Sequence, residues 1–295
     1  MAVISPEVLK QVKQIELRTR GLVSSLFAGE YRSVFRGQGM EFAEVRAYEQ
    51  GDDFRAIDWN VSARLASPYV KTFTEERELT LMLLVDQSGS TRFGEPRTKA
   101  AIAVEVAAVL ALAAARHNDR VGALLFSDQV EQVIPPAKGR RHALRVIRDL
   151  VAFEPAGRQT NLSASLLYAA ELLWHRSIVV VLSDFFATGW EGPMRRLAAR
   201  HEVVAITVDD RREQQLPDAG WIELDDAETG RRVLVDAGNP AVRARVKLTA
   251  EKRRTDRHRG LNAAGVDHIV LSTDKDYALP LHRAFAQRAR RLHRG

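Results

Sequence analysis

The 295-residue chain contains no cysteine, which excludes disulfides, thiolate metal sites, iron–sulfur clusters and a cysteine nucleophile together. It also lacks a long apolar run. The stretch Ala100 to Ala115 comes nearest, but it is shorter than the ~20 residues a spanning helix needs and carries Glu105. The opening sequence MAVISPEVLKQVKQIELRTR has no apolar core ahead of its charges, so a secretory leader is not expected. Phosphate-binding glycine loops are missing too: neither Gly-x-x-x-x-Gly-Lys-Ser/Thr nor a helix-opening Gly-x-Gly-x-x-Gly occurs. There is no Gly-x-Ser-x-Gly nucleophile elbow and no His-Glu-x-x-His pair, and the 8 histidines are scattered. With 45% hydrophobic and 28% charged residues, the composition is that of a folded globular protein. A soluble, cytoplasmic protein that is not an enzyme is the expectation.

The formal charge of +6 is unevenly placed. Residues 240–295 hold 14 Lys/Arg against 5 Asp/Glu. Such a segment can bind nucleic acid or an acidic surface, or it can be the solvated face of two amphipathic helices. Spacing favours the second: Leu279, Leu281, Phe285 and Ala289 form one helical stripe, with Arg283, Arg288, Arg290, Arg291 and Arg294 around it. No interleaved aromatics suggest a base-stacking platform.

The N-terminal 28 residues read as a helix, with Ser5 as cap and Pro6 at the first helical position. From Tyr31 to Thr74 short apolar runs between Gly37, Gly39 and Gly51-Asp52-Asp53 suggest strands and turns. Strands and helices then alternate. Strands are expected at 79–85, 120–126, 129–134, 177–182, 202–208 and 267–271. Helices are expected at 98–117, 140–152, 162–174, 191–200, 240–259 and from Pro280, with a hairpin over 221–235 turning at Glu228-Thr229-Gly230. The runs at 79–85 and 177–182 are almost wholly apolar, the mark of strands buried on both faces of a mainly parallel, doubly wound α/β sheet. The division expected is 1–76, a helix and β-rich extension, and 77–295, the α/β domain with a hairpin insertion near 215–239.

In such sheets ligands bind beyond the carboxyl ends of the strands. Beyond the first buried strand stands Asp86-Gln87-Ser88-Gly89-Ser90-Thr91; beyond the second, Ser183-Asp184-Phe185; between them, the loop Gly157 to Leu162 precedes a helix. Carboxylates and hydroxyls from three loops, without histidine or cysteine, suit a hard cation such as Mg2+ or Mn2+. Taken singly, Asp86 can merely end a strand, and Thr160 or Asn161 can merely cap a helix. A phosphatase of haloacid dehalogenase type would need a second aspartate where Ser88 stands. A Mg2+-dependent phosphoesterase using Asp86 and Asp184 is the alternative from another class, and nucleic-acid binding through 240–295 is a third.

The set Asp86-x-Ser88-x-Ser90, Thr160 and Asp184 resembles the metal-ion-dependent adhesion site of von Willebrand factor A domains. The resemblance implies Asp86, Ser88, Ser90, Thr160 and Asp184 as ligands, directly or through water, with an acidic side chain of a protein partner completing the shell. Phe185 stands where many members of that group carry glycine. Upstream, Gly37-Gln38-Gly39-Met40-Glu41-Phe42, Arg46-Ala47-Tyr48, Gly51-Asp52-Asp53, Arg55, Ile57-Asp58-Trp59 and Ser62-Ala63-Arg64 are similar to the bacterial family of domain of unknown function 58. Members of that family carry a von Willebrand A-like domain and are often encoded beside MoxR-type AAA+ ATPases. What this implies is a Mg2+- or Mn2+-dependent protein-binding module that works with such an ATPase, or its client, in assembly or maturation of protein complexes. Arg46, Asp52, Asp53, Arg55, Asp58 and Arg64 form either a docking surface or charge pairs that hold an irregular insertion, with Trp59 as its apolar anchor.

Overall fold

The structure is a computed structural model that describes residues 5–27, 41–74 and 79–292. The sequence features at Val34-Phe35, Gly37 to Met40, Glu75 to Glu78 and Arg294 lie outside the described residues, as does the side chain of Ala289. Two units separate by their contacts: helix α1 (Pro6–Phe27) with everything from Thr80 onward, and the segment Arg36–Leu79.

The larger unit is built on a six-stranded sheet. Its strands are β3 (Thr80–Asp86), β4 (Arg120–Phe126), β5 (Val130–Ala137), β6 (Ile178–Leu182), β7 (Glu202–Asp209) and β10 (Asp267–Ser272), in the order β10-β7-β6-β3-β4-β5. All neighbours are parallel except the edge pair β4–β5. This is the doubly wound order 3-2-1-4-5-6, and the expected doubly wound, mainly parallel α/β sheet forms. Side chains alternate across a strand. Met82 and Leu84 therefore join Val179, Val181, Leu166, Met194 and Leu261 in one fully buried cluster. Leu81, Leu83 and Val85, also fully buried, face the other way. Burial on both faces explains why these runs are unbroken apolar sequence from Leu81 to Val85 and from Ile178 to Leu182.

Helix α3 (Lys99–Arg116) starts where the Thr98 side chain accepts the Ala101 N–H, and it contacts β3 and β4. Helix α1, capped by Ser5 Oγ accepting from Val8 N, packs on α3 and on α4 (Arg140–Val151). Helices α5 (Leu162–Leu172), α6 (Glu191–Ala198), α7 (Arg211–Gln214), α8 (Pro240–Ala263) and α9 (Ala278–Leu292) complete the unit, together with the separate antiparallel hairpin β8 (Trp221–Asp225) and β9 (Arg232–Asp236).

The basic C-terminal segment departs from the expected amphipathic pair. Helix α8 fully buries only Arg257 and Leu261; Val242, Val246 and Ala250 are half-buried, and Leu248 is exposed. In α9, Leu281 and Phe285 are buried as expected, but Leu279 is exposed. Arg288, placed by its spacing beside the apolar stripe, is instead buried in ion pairs with Glu202 and Asp267.

Within the smaller unit, β1 (Glu41–Ala47) pairs antiparallel with β2 (Tyr69–Thr74) through a bulge between Phe42 and Glu44. A helix that the strand-and-turn reading did not foresee, α2 (Trp59–Leu65), lies between them. Asp58 caps it by accepting from Asn60 N and Val61 N, and Ala66 ends it at φ 53°. Arg46 grips Asp52 with two hydrogen bonds of 2.9 and 2.7 Å and holds its carboxyl below the usual range. Asp53 caps the short 3-10 turn Phe54–Ala56, which contains Arg55, and Arg64 lies in the last turn of α2. Trp59 is 70% exposed, so it anchors nothing by burial.

Candidate metal centre

The order of the strands reverses at β3, with β4 on one side and β6 on the other. Asp86 and Asp184 sit at the carboxyl ends of β3 and β6, the two strands flanking that switch point, where α/β sheets place their ligands. Both are buried: Asp86 at 0% and Asp184 at 3% exposure.

Backbone hydrogen bonds bind three loops together here. Gln87 N donates to Phe126 O at the end of β4, Gly89 N to Arg158 O at 2.7 Å, and Asn161 N to Ser127 O at 2.7 Å. The loop before α5 is thereby locked onto the Asp86–Ser90 loop. Asn161, not Thr160, caps α5, accepting from Ala164 N at 3.1 Å. That leaves the Thr160 hydroxyl available to the site. Ser88 precedes the 3-10 turn Gly89–Arg92 without making a side-chain cap, and its Oγ lies 3.2 Å from that of Ser90.

Asp86 accepts from Ser88 N at 2.9 Å and from Ser183 Oγ at 2.6 Å. Burial, with the nearby Asp184 charge second, pushes its carboxyl up to about 7, against the lowering effect of those hydrogen bonds. No ion pair reaches it among the described residues. Asp184 has a different environment. Lys99 Nζ, 2% exposed, lies 2.8 Å from its Oδ2 and 2.6 Å from Glu213 Oε1. Burial pushes the Lys99 ammonium down, but Asp184 and Glu213 outweigh it and hold the group above its usual value. Glu213 is raised by burial in spite of Lys99. Arg257 completes the setting, donating to Asp184 O at 2.9 Å and to both oxygens of Asp209. Asp86, Lys99, Ser183 and Asp184 line one small cavity.

These residues fit a hard divalent cation. All the donors are oxygen, and a buried carboxylate without a cationic partner stands beside two hydroxyls. The structure brings Asp86, Ser88, Ser90 and Asp184 to one place, with Thr160 on the loop tied to it. Among the described residues no group of three or more His, Cys, Asp or Glu gathers to hold a metal, so any ion here depends on serine and threonine hydroxyls. Phe185, in the glycine position, adopts the glycine-like φ of 56°. Its buried ring meets Trp190 edge-on at 5.2 Å, and this burial offsets the roughly 1–2 kcal/mol that a left-handed backbone costs a side chain.

Sequence reasoning did not find Lys99, Ser183, Glu213 or Arg257. Ser183 stood in the quoted strand-end string. Lys99 had only its isolation on an apolar helix as a signal. A fifth residue, Glu228 at the hairpin turn, accepts a 2.7 Å hydrogen bond from Thr160 Oγ1; the sequence marked it only as part of a turn.

No described helix is long and apolar enough to cross a membrane. The chain is 33% identical over 291 residues, 97% of its length, to the "Uncharacterized protein Rv1480" of Mycobacterium tuberculosis, covering 91% of that protein. Among solved structures it is similar to the SpRpn10 VWA domain, with 13% identity, TM-score 0.40, and 72% and 95% of the two chains covered. It is also similar to proximal thread matrix protein 1 from the mussel byssus with a zinc-occupied MIDAS motif, with 17% identity, TM-score 0.37, and 45% and 38% covered. The model of the DUF58 family, described as "Protein of unknown function DUF58", matches residues 44–256, and with that match and the mycobacterial relative the chain belongs to the DUF58 family.

Proposed function

We propose that this protein is a metal-ion-dependent protein-binding module of the adhesion-site type. Asp86, Ser88 and Ser90 hold Mg2+ or Mn2+, and Thr160 and Asp184 contribute directly or through water. The observation that carries this reading is Asp86: a fully buried carboxylate at the switch point, with hydroxyls beside it and no cation paired to it among the described residues. When bound, the ion supplies a coordination position for a partner's carboxylate. Lys99 keeps the Asp184 charge compensated, Ser183 fixes the Asp86 carboxyl, and the backbone bonds among the loops hold the donors in place.

The partner we favour is a MoxR-type AAA+ ATPase or its client, the module serving in assembly or maturation of protein complexes. Arg46, Asp52, Asp53, Arg55, Asp58 and Arg64 supply a further docking surface in this reading. The test is surface-immobilised binding of a purified MoxR-type ATPase to wild type and Asp86→Ala, in Mg2+ and in EDTA. Binding in Mg2+ alone, lost in Asp86→Ala, is expected. Equal binding by Asp86→Ala in EDTA would refute the adhesion-site reading. The same samples assayed with an aryl phosphate test the phosphoesterase alternative, and salt titration against DNA tests nucleic-acid binding.

A further inference from the structure

The turn joining β8 to β9 lies on the candidate ion site of the same chain. Thr160 Oγ1 donates to Glu228 Oε1 at 2.7 Å. A hydroxyl has one proton and two lone pairs, so this bond directs the Thr160 proton away and leaves its oxygen able to accept a cation. One residue earlier, the Ala227 carbonyl sits so close to Gly89 that a Cβ there would stand 2.2 Å from its oxygen and 2.8 Å from its carbon. The tip thus touches two of the three site loops, one between Ser88 and Ser90 and the other at Thr160.

The turn is also shaped for this. Asp226 Oδ1 accepts from Glu228 N at 3.0 Å and from Thr229 N at 3.2 Å, while Gly230 N returns to Asp226 O at 2.7 Å and Gly230 takes φ 69°. The Thr229 side-chain hydrogen bond, followed by the Thr229 and Glu228 backbone donors, holds the Asp226 carboxyl below its usual range. The strands behind the tip are an isolated two-stranded pair, with Trp221, Val233 and Leu234 more than half exposed. The base is fastened: Ala237 N donates to Gly220 O, and Arg243 donates to Ala237 O and Gly238 O. A pair of strands with so little burial is weakly held by itself, and the tip contacts at Gly89 and Thr160 add to the fastening at its base.

We infer that Glu228 is an internal ligand of the ion site: the chain supplies its own carboxylate where an acidic partner would bind, and the β8–β9 hairpin closes the site until a partner displaces it. The inference rests on the adhesion-site reading. The ion in turn strengthens the closure, because Glu228 gains a cation to neutralise it as well as the Thr160 hydroxyl.

The experiment is Mn2+ titration calorimetry on the full chain, comparing wild type, Glu228→Ala, Glu223→Ala and Asp86→Ala, with amide hydrogen exchange of residues 226–230 in Mn2+ and in EDTA. Glu223 is the control, an acidic residue on the same hairpin paired with Arg232 rather than with the site. Expected are a loss of Mn2+ affinity of about tenfold or more in Glu228→Ala, less than about twofold in Glu223→Ala, and no binding in Asp86→Ala. Tip exchange should slow on adding Mn2+ in wild type and not in Glu228→Ala. Unchanged or tighter Mn2+ binding by Glu228→Ala, with Asp86→Ala still inactive, would overturn the internal ligand and leave the ion site standing. Absence of Mn2+ binding in wild type would overturn both.

Discussion

Asp86 and Asp184 are both carboxylates at the ends of adjacent buried strands, yet their surroundings divide them. Asp184 is paired with Lys99, both at 2% side-chain exposure, whereas among the described residues Asp86 accepts from neutral donors, Ser88 N and Ser183 Oγ. Removing one member of a buried pair costs about 3–5 kcal/mol because the other is left charged and uncompensated. Lys99→Met should therefore lower the metal-free stability by about that amount in chemical denaturation. It should also show a larger stabilisation by Mg2+ than wild type does, since the ion then has two uncompensated carboxylates to neutralise. A variant that lost stability but gained no extra response to Mg2+ would mean that Lys99 supports the fold without bearing on the ion. The aspartates and serines were legible in the sequence because each follows an apolar run within a few residues. Lys99 and Glu228 were not, because they reach the site from 85 and 68 positions away along the chain, and no local pattern encodes such pairings.

At the scale of elements, the strands were read closely because burial on both faces leaves an unmistakable apolar run, as at β3 and β6. Helix α2 was missed: seven residues between Asp58 and Ala66 show too few turns for periodicity to register. Helix α8 shows the opposite failure, since its charge pattern implied a well-buried apolar face, whereas Arg257 and Leu261 are its two fully buried residues. Where α8 meets β10 it makes a titratable contact. His268 of β10 has its Nδ1 3.4 Å from that of His258 on α8 and its Nε2 3.1 Å from Thr207 Oγ1 on β7. Burial, then the charges of Arg257, His258 and Arg254, push His268 down to about 4. Between the ordinary histidine value of about 6.5 and this lower one, the unfolded chain binds the proton and the folded chain does not. Stability should therefore fall as pH drops through that window, by on the order of 1–2 kcal/mol once partial solvent exposure is allowed for. His268→Gln should flatten that slope in urea titrations at pH 7, 6, 5 and 4. An equal slope in the variant would assign the acid sensitivity elsewhere.

On the scale of the whole molecule, topology decides where function lies. Among the described residues the sheet order reverses at β3, between β4 and β6, so two distant stretches of chain deliver their strand ends to one place, the edge at which the doubly wound α/β pattern read from the sequence led a ligand site to be expected. The sequence could not show that the hairpin from 221 to 236 returns over that edge, because its exposed strands carry no burial signal and its tip contacts are wholly tertiary. Whether a divalent cation binds at Asp86 is read from thermal unfolding of wild type and Asp86→Ala in EDTA, Mg2+, Mn2+ and Ca2+. An ion present at about 100 times its dissociation constant adds about 2.7 kcal/mol, roughly several degrees for a chain of this size. An upward shift of that order is expected for wild type in Mg2+ or Mn2+ and none for Asp86→Ala. An unshifted wild type in every metal, or an equal shift in both proteins, would contradict binding at Asp86.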